Sequence, residues 1–170
     1  MKKVLYILVL LVFSSCIGEI KKPNQPKQSV TPQRPKVKRN SQWDQDVEKI
    51  RTWVAEKGFD MTPTSQGIYY KIEKEGVGVA HPMAGTKVTV NYRGTLLDGT
   101  EFDSSYDQGQ PLTAKLTRLI MGWQFAVPLL KKGGKGKFVI PSTLAYGQNA
   151  RHKIPANSIL VFDIELIDFE

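Results

Sequence analysis

Residues 41–170 offer few side chains that could do covalent chemistry. The only cysteine of the 170-residue chain is Cys16, and the only histidines are His81 and His152. A metal site needs three or four convergent ligands, and no such spacing occurs in the sequence. No glycine-rich loop of the phosphate-binding kind leads from a strand into a helix. We therefore expect no metal, no cofactor and no nucleophilic cysteine in this part of the chain.

Aromatic residues stand instead at predicted strand ends and loop junctions, together with one carboxylate. The aromatic residues are Tyr92, Phe102, Trp123, Tyr146 and Phe162, and Asp103 directly follows Phe102. Side chains of this kind can fill an ordinary core, or they can surround an apolar cavity. The sequence pattern alone leaves both interpretations open.

One apolar helix and several strands must position these residues. Residues 119–130, which include Trp123, form the one apolar helical candidate in the last hundred residues, and Pro128 should end the helix because it has no N–H to donate. A hairpin turn is predicted at Asp98-Gly99. Period-two alternation predicts five or six strands, over residues 68–72, 88–92, 101–103, 112–116, 137–140 and 159–167. Strands around one short helix predict an α+β domain with a mainly antiparallel sheet.

A second helix is predicted before this domain. Ser41 and Asp44 have the spacing of a capping box, and Gly58 can end the helix. Its apolar stripe consists of Trp43, Val47, Ile50 and Val54. This stripe can pack on the domain or pair with a second copy of the chain. We assign the helix and the following turn to residues 41–62 and the main domain to residues 63–170.

The first sixteen residues have the order of an export signal. Lys2 and Lys3 precede an apolar run over residues 4–13, and two small residues lead to Cys16. The run is shorter than the about 20 residues of a membrane span, so residues 1–15 are predicted to be a signal peptide. The order resembles a bacterial lipoprotein signal, which implies a lipid on Cys16 and a location in the cell envelope. An uncleaved signal anchor is the alternative.

The net charge lies outside the predicted domain. The chain carries +8, whereas residues 41–170 hold 15 basic and 15 acidic side chains. A nucleic-acid-binding domain would carry its own basic face, so no nucleic-acid partner is expected. Residues 16–40 contain four prolines and no aromatic residue, which predicts a disordered tether. Its positive charge either attracts an anionic membrane surface or only solvates the linker.

Four motifs follow one another along the chain: Tyr92-x-Gly94 through Phe102-Asp103, Ile120-x-Gly122-Trp123, Ala145-Tyr146-Gly147 and Ile154-Pro155-x-Asn157. In this order they resemble the FKBP-type peptidyl-prolyl cis-trans isomerases over residues 66–170. The resemblance implies a half-open sheet wrapped around the short helix, with an apolar pocket between them. It places catalytic side chains at Tyr92, Phe102, Asp103, Trp123, Tyr146 and Phe162, and substrate-binding ones at Leu112, Leu119, Ile120 and Ile154. Trp123 would be the pocket floor, while the Ile120 N–H and the Tyr146 hydroxyl would meet substrate carbonyls.

The resemblance also implies a function, and the chain departs from the family pattern at several positions, which include Gln108 and Leu112. It implies an enzyme that isomerises X-Pro bonds of exported or envelope proteins, and macrolides such as tacrolimus or rapamycin as ligands. A lipid-anchored chaperone, or a module that binds proline peptides with little turnover, is the alternative. Gln108 stands where many members have arginine, so Asp103 is expected to lack a charged partner. Leu112 stands where an aromatic residue is frequent, so that wall is expected to be smaller.

Overall fold

The computed structural model describes residues 41–170. The predicted signal peptide, Cys16 and the predicted tether lie outside the described residues. Neither helix between residues 41 and 170 is long and apolar enough to cross a membrane. The elements are α1 (Gln42–Glu56), β1 (Thr62–Pro63), β2 (Tyr69–Lys74), β3 (Lys87–Leu96), β4 (Glu101–Ser104), β5 (Leu112–Lys115), α2 (Met121–Ala126), β6 (Lys135–Ile140) and β7 (Leu160–Phe169).

The strands form one antiparallel sheet, which confirms the predicted α+β class. Its order is β1-β2-β6-β7-β3-β4, with β5 pairing with β3 beside β4. The sheet has one strand more than the upper prediction. Thr62 and Pro63 were expected in a turn, but they pair with Tyr70 and Tyr69. A proline is tolerated there because an edge strand can lack one N–H without losing an interior ladder bond.

The inner face of the sheet packs against α2. Leu160, Phe162, Ile164 and Leu166 of β7 all lie on this face and are buried, as the alternation predicts. The helix is shorter than expected: it ends at Ala126, and the chain continues as a 3-10 turn over Val127–Leu129 that contains Pro128.

A glycine allows α2 to approach the sheet closely. A Cβ atom on Gly122 would lie 2.4 Å from the Ile140 Cγ2 atom of β6. Any side chain at this position would therefore push the helix away from the strand. The close approach fixes the height of Trp123, the next residue, above the inner face of the sheet.

The outer face of the sheet packs against α1. Val139 and Val161 alternate with the inner residues of β6 and β7, and they contact Ile50 and Val54 of α1. The capping box at Ser41 and Asp44 is formed as predicted. The apolar stripe of α1 therefore packs on the domain, which is the first of the two interpretations of this helix.

Candidate functional site

A cavity of about 100 Å³ lies between α2 and the inner face of the sheet. Nine of the ten pocket residues predicted from the sequence meet at this cavity. They are Tyr92, Phe102, Asp103, Leu112, Leu119, Ile120, Trp123, Tyr146 and Phe162.

Ile154 is the predicted pocket residue that lies elsewhere. Its side chain is 6% exposed and belongs to the buried cluster beside the cavity, but it is not part of the lining. Its backbone N–H and C=O both bond with Arg151, at 3.0 and 2.8 Å. The structure therefore places the Ile154 side chain in the inner core cluster.

Perpendicular aromatic rings form the walls of the cavity. The Trp123 ring lies 5.1 Å from the Tyr92 ring at 82° and 5.3 Å from the Phe162 ring at 90°. Phe102 meets Phe162 at 5.6 Å and 86°. Edge-to-face pairs of this kind are favourable beyond their buried area, so each ring restrains its neighbour. Trp123 is only 3% exposed, and it lines the cavity as the predicted floor would.

Gly94 makes this arrangement of rings possible, although the sequence pattern predicted no role for it. A Cβ atom on Gly94 would lie 2.5 Å from Phe102 Cζ and 2.9 Å from Phe162 Cε1. The rings of Phe102 and Phe162 therefore pack directly on the backbone of β3. A glycine inside a strand is the sequence signal for such a close approach, because it weakens a strand unless something packs there.

Asp103 serves as the acceptor of a hydrogen-bond network at the cavity. Its Oδ2 accepts from the Tyr92 hydroxyl at 2.5 Å, and its Oδ1 accepts from Gln108 Nε2 at 2.8 Å and from the Ser104 N–H at 3.0 Å. Gln108 therefore supplies a neutral donor where a charged partner was expected to be missing. A carboxylate with three donors is held in one orientation, and it in turn orients the Tyr92 ring.

Tyr92 is held from its backbone as well as from its hydroxyl. Its N–H donates to Ser105 Oγ at 2.9 Å, and its C=O accepts from the Ser105 N–H at 3.0 Å. Burial, followed by the hydrogen bond to the Asp103 carboxylate, raises the pKa of Tyr92 above its ordinary value. The hydroxyl therefore stays protonated as a donor at neutral pH.

Two donors at the cavity have no acceptor within residues 41–170. The Ile120 C=O accepts from the N–H groups of Trp123 and Gln124, but the Ile120 N–H has no partner in the described part of the chain. The Tyr146 hydroxyl likewise makes no hydrogen bond there, while the Arg151 guanidinium lies 5.5 Å from the Tyr146 ring. These groups are available to carbonyl oxygens of a bound molecule.

Comparison with known proteins identifies the family of this fold and site. A family model described as FKBP-type peptidyl-prolyl cis-trans isomerase matches residues 78–167. The chain belongs to this family. A relative from Buchnera aphidicola subsp. Schizaphis graminum, named FKBP-type peptidyl-prolyl cis-trans isomerase FkpA, is 49% identical over 110 residues, which are 65% of this chain and 44% of that protein.

Solved structures show the same fold. The crystal structure of FkpA from Escherichia coli is 41% identical, with a TM-score of 0.67, covering 75% of this chain and 61% of that one. A peptidyl-prolyl cis-trans isomerase from Pseudomonas syringae pv. tomato is 33% identical, with a TM-score of 0.64, covering 75% and 95%. The chain spans between 40% and 44% of the length of three FkpA relatives that it matches.

Proposed function

We propose that this protein is a peptidyl-prolyl cis-trans isomerase that acts on X-Pro bonds in the cavity between α2 and the sheet. One observation carries the proposal: the cavity is lined by the perpendicular aromatic rings of Tyr92, Trp123 and Phe162. The carboxylate beside it, Asp103, already accepts three hydrogen bonds. The site is therefore suited to binding and twisting an amide, and not to attacking it.

The physical chemistry of the X-Pro bond explains how such a site can work. Amide resonance opposes rotation, with a barrier of about 18–20 kcal/mol for peptide bonds. When the bond is twisted, the nitrogen loses conjugation and the bond becomes less polar. An apolar cavity with little water favours this state over the planar amide. No nucleophile or acid–base pair is required.

We assign a role to each group at the cavity. Trp123 is the floor on which the proline ring rests, and Tyr92, Phe102 and Phe162 are the walls. The Ile120 N–H and the Tyr146 hydroxyl, which have no acceptor within residues 41–170, donate to carbonyl oxygens of the substrate. Leu112 and Leu119 contact the residues that flank the proline. Asp103 and Gln108 orient Tyr92 and do not react.

A refolding assay tests the isomerase proposal. The full chain should accelerate the slow, proline-limited refolding of a test protein, whose uncatalysed phase takes about 10–100 s at 25 °C. Tacrolimus or rapamycin should suppress the acceleration if these macrolides occupy the same cavity. A chain that binds proline peptides without accelerating refolding would be a binding module instead, and the proposal would be wrong.

We also propose that the protein works in a bacterial cell envelope, held by a lipid on Cys16 through the tether of residues 16–40. The order of basic, apolar and small residues before Cys16 supports this proposal. Exported proteins with X-Pro bonds would then be its substrates. Cys16→Ser should release the protein into the soluble envelope fraction or leave it unprocessed. Membrane retention with the processed mass of the wild type would contradict the proposal.

A further inference from the structure

We propose that Asp46 of α1 is a positioning residue that holds Tyr146 at the cavity. Its effect on turnover rests on the isomerase function proposed above, whereas its effect on the structure of the Tyr146 turn does not. The family match begins at residue 78, so α1 lies outside the matched segment. The inference therefore adds a residue of the N-terminal helix to the machinery of the site.

The Asp46 side chain is fully buried, and its carboxylate accepts hydrogen bonds from Ser142, at the start of the turn that contains Tyr146. Its Oδ2 accepts from the Ser142 N–H at 2.8 Å and from Ser142 Oγ at 2.6 Å. Its Oδ1 accepts from Gln42 Nε2 at 2.8 Å. Both Asp46 and Ser142 are 0% exposed. Because both the N–H and the hydroxyl of Ser142 donate to one oxygen of Asp46, this contact restrains both the position and the orientation of Ser142.

Ser142 passes this restraint to the residues on both sides of Tyr146. Its C=O accepts from the Ala145 N–H and from the Gly147 N–H, each at 2.9 Å. Tyr146 lies between these two residues and lines the cavity. The position of the Tyr146 ring and hydroxyl therefore depends on a turn that is hydrogen-bonded to Asp46 through Ser142. Loss of the carboxylate would leave two Ser142 donors buried without acceptors, which favours opening of the turn.

The competing interpretation is that Asp46 only fastens α1 to the sheet. A control on the same helix separates the two interpretations. Val54 is 7% exposed and packs on Val139 and Val161 of the outer face. Val54→Ala therefore weakens the packing of α1 without touching Ser142. Ser142→Ala makes the complementary change, because it removes the hydroxyl donor but keeps the packing of α1.

Amide hydrogen exchange in the full chain tests the positioning role directly. The rates at Ala145 and Gly147 are compared with the rate at Phe162, in the central strand β7. In Asp46→Ala the two turn amides should exchange about tenfold faster relative to Phe162, because their local opening becomes easier. Asp46→Asn keeps one acceptor oxygen and should give an intermediate rate, as should Ser142→Ala. In Val54→Ala the ratio should be unchanged.

Turnover of a proline peptide gives the second measurement. Asp46→Asn should lower kcat/KM in the wild-type background, and the loss should shrink in the Tyr146→Phe background, because both changes act on one group. Unchanged exchange ratios in both Asp46 variants would overturn the inference, as would equal changes in Val54→Ala. An inactive wild-type chain would instead refute the proposed isomerase function, while the exchange ratios would still decide the role of Asp46.

Discussion

The two helices cover opposite faces of one sheet, and the cavity lined by Tyr92, Trp123 and Phe162 lies on only one of these faces. On the outer face, the 15 residues of α1 begin with a capping box and bury Ile50 completely. On the inner face, the six residues of α2 have no side-chain cap, and they leave the space in front of Trp123 unfilled. A helix of six residues is too short to be stable alone, so packing on the sheet must hold it.

Because the packed cluster and the cavity lie on opposite faces, we expect the outer face to contribute mainly to stability and the inner face to the proposed activity. The buried cluster of Ile50, Val54, Val139, Ile159 and Val161 on the outer face stabilises the fold by close packing, since each methylene lost from a packed core is destabilising. The inner face keeps a small gap because α2 is short and because Gly94 lets the rings lie against β3. Substitutions on the outer face should therefore change mainly the free energy of unfolding, whereas substitutions at the cavity should also change kcat/KM.

Trp123→Leu should have the largest effect on turnover. It removes the cavity floor, so we expect kcat/KM to fall by about a hundredfold, which corresponds to about 2.7 kcal/mol of barrier. Part of the indole faces the cavity, so the free energy of unfolding should fall by less than the roughly 3–5 kcal/mol of a fully packed aromatic. Denaturant unfolding and a proline-peptide assay measure the two quantities. Unfolding of the domain by this change would identify Trp123 as ordinary core.

Gly94→Ala should lower both kcat/KM and the free energy of unfolding. The added methyl would meet Phe102 and Phe162 below 3.0 Å, so the rings must move into the cavity. Overpacking of this kind costs about 1–3 kcal/mol of stability. We expect kcat/KM to fall by roughly tenfold, or about 1.4 kcal/mol, because the walls shift. Normal turnover with an unchanged denaturation midpoint would show that the rings do not pack as described.

Ile50→Val on α1 should affect stability alone. Ile50 is fully buried in the outer cluster, and loss of one methylene there costs about 0.5–1.5 kcal/mol. The kcat/KM of the folded protein should stay that of the wild type, since this side chain belongs to the outer cluster and does not line the cavity. A matched fall in kcat/KM would mean that the two faces are not independent.

Tyr92→Phe should change the pH dependence of stability by a small amount. The folded protein raises the pKa of Tyr92, so this group stabilises the fold fully below its unfolded pKa of about 10. That stabilisation is lost as the pH rises above this value, by at most about 1.4 kcal/mol per pH unit. The unfolding free energy of the wild type should therefore fall more steeply above about pH 10 than that of Tyr92→Phe. Parallel curves would contradict the raised pKa.

Local patterns were sufficient to predict both helices and six of the seven strands. The capping box at Ser41 and the stripe of α1 depend on residues three or four positions apart, which a sequence displays directly. The candidate cavity residues came from the resemblance in motif order. It placed Ile154 in the lining, whereas the structure buries this side chain in the inner core cluster.

Contacts between distant residues could not be predicted in this way. Asp46 lies 96 positions before Ser142, and nothing in the spacing of α1 distinguishes it from a solvated carboxylate. The donor that Gln108 offers to Asp103 depends on the path of the loop after β4, and the need for Gly94 depends on where two rings meet. Tertiary packing decides such features, so they become visible only in the folded chain.

The most direct test of the proposed active site is Tyr146→Phe, which removes a single hydroxyl. That hydroxyl has no acceptor within residues 41–170, so its loss should leave the free energy of unfolding within about 0.5 kcal/mol of the wild type. If it donates to a substrate carbonyl, kcat/KM for an X-Pro peptide should fall by roughly fivefold to tenfold, the value of a hydrogen bond of about 1–1.4 kcal/mol. Unchanged kcat/KM, measured beside a Trp123→Leu variant that loses stability and activity together, would contradict the account and leave the cavity without a catalytic role.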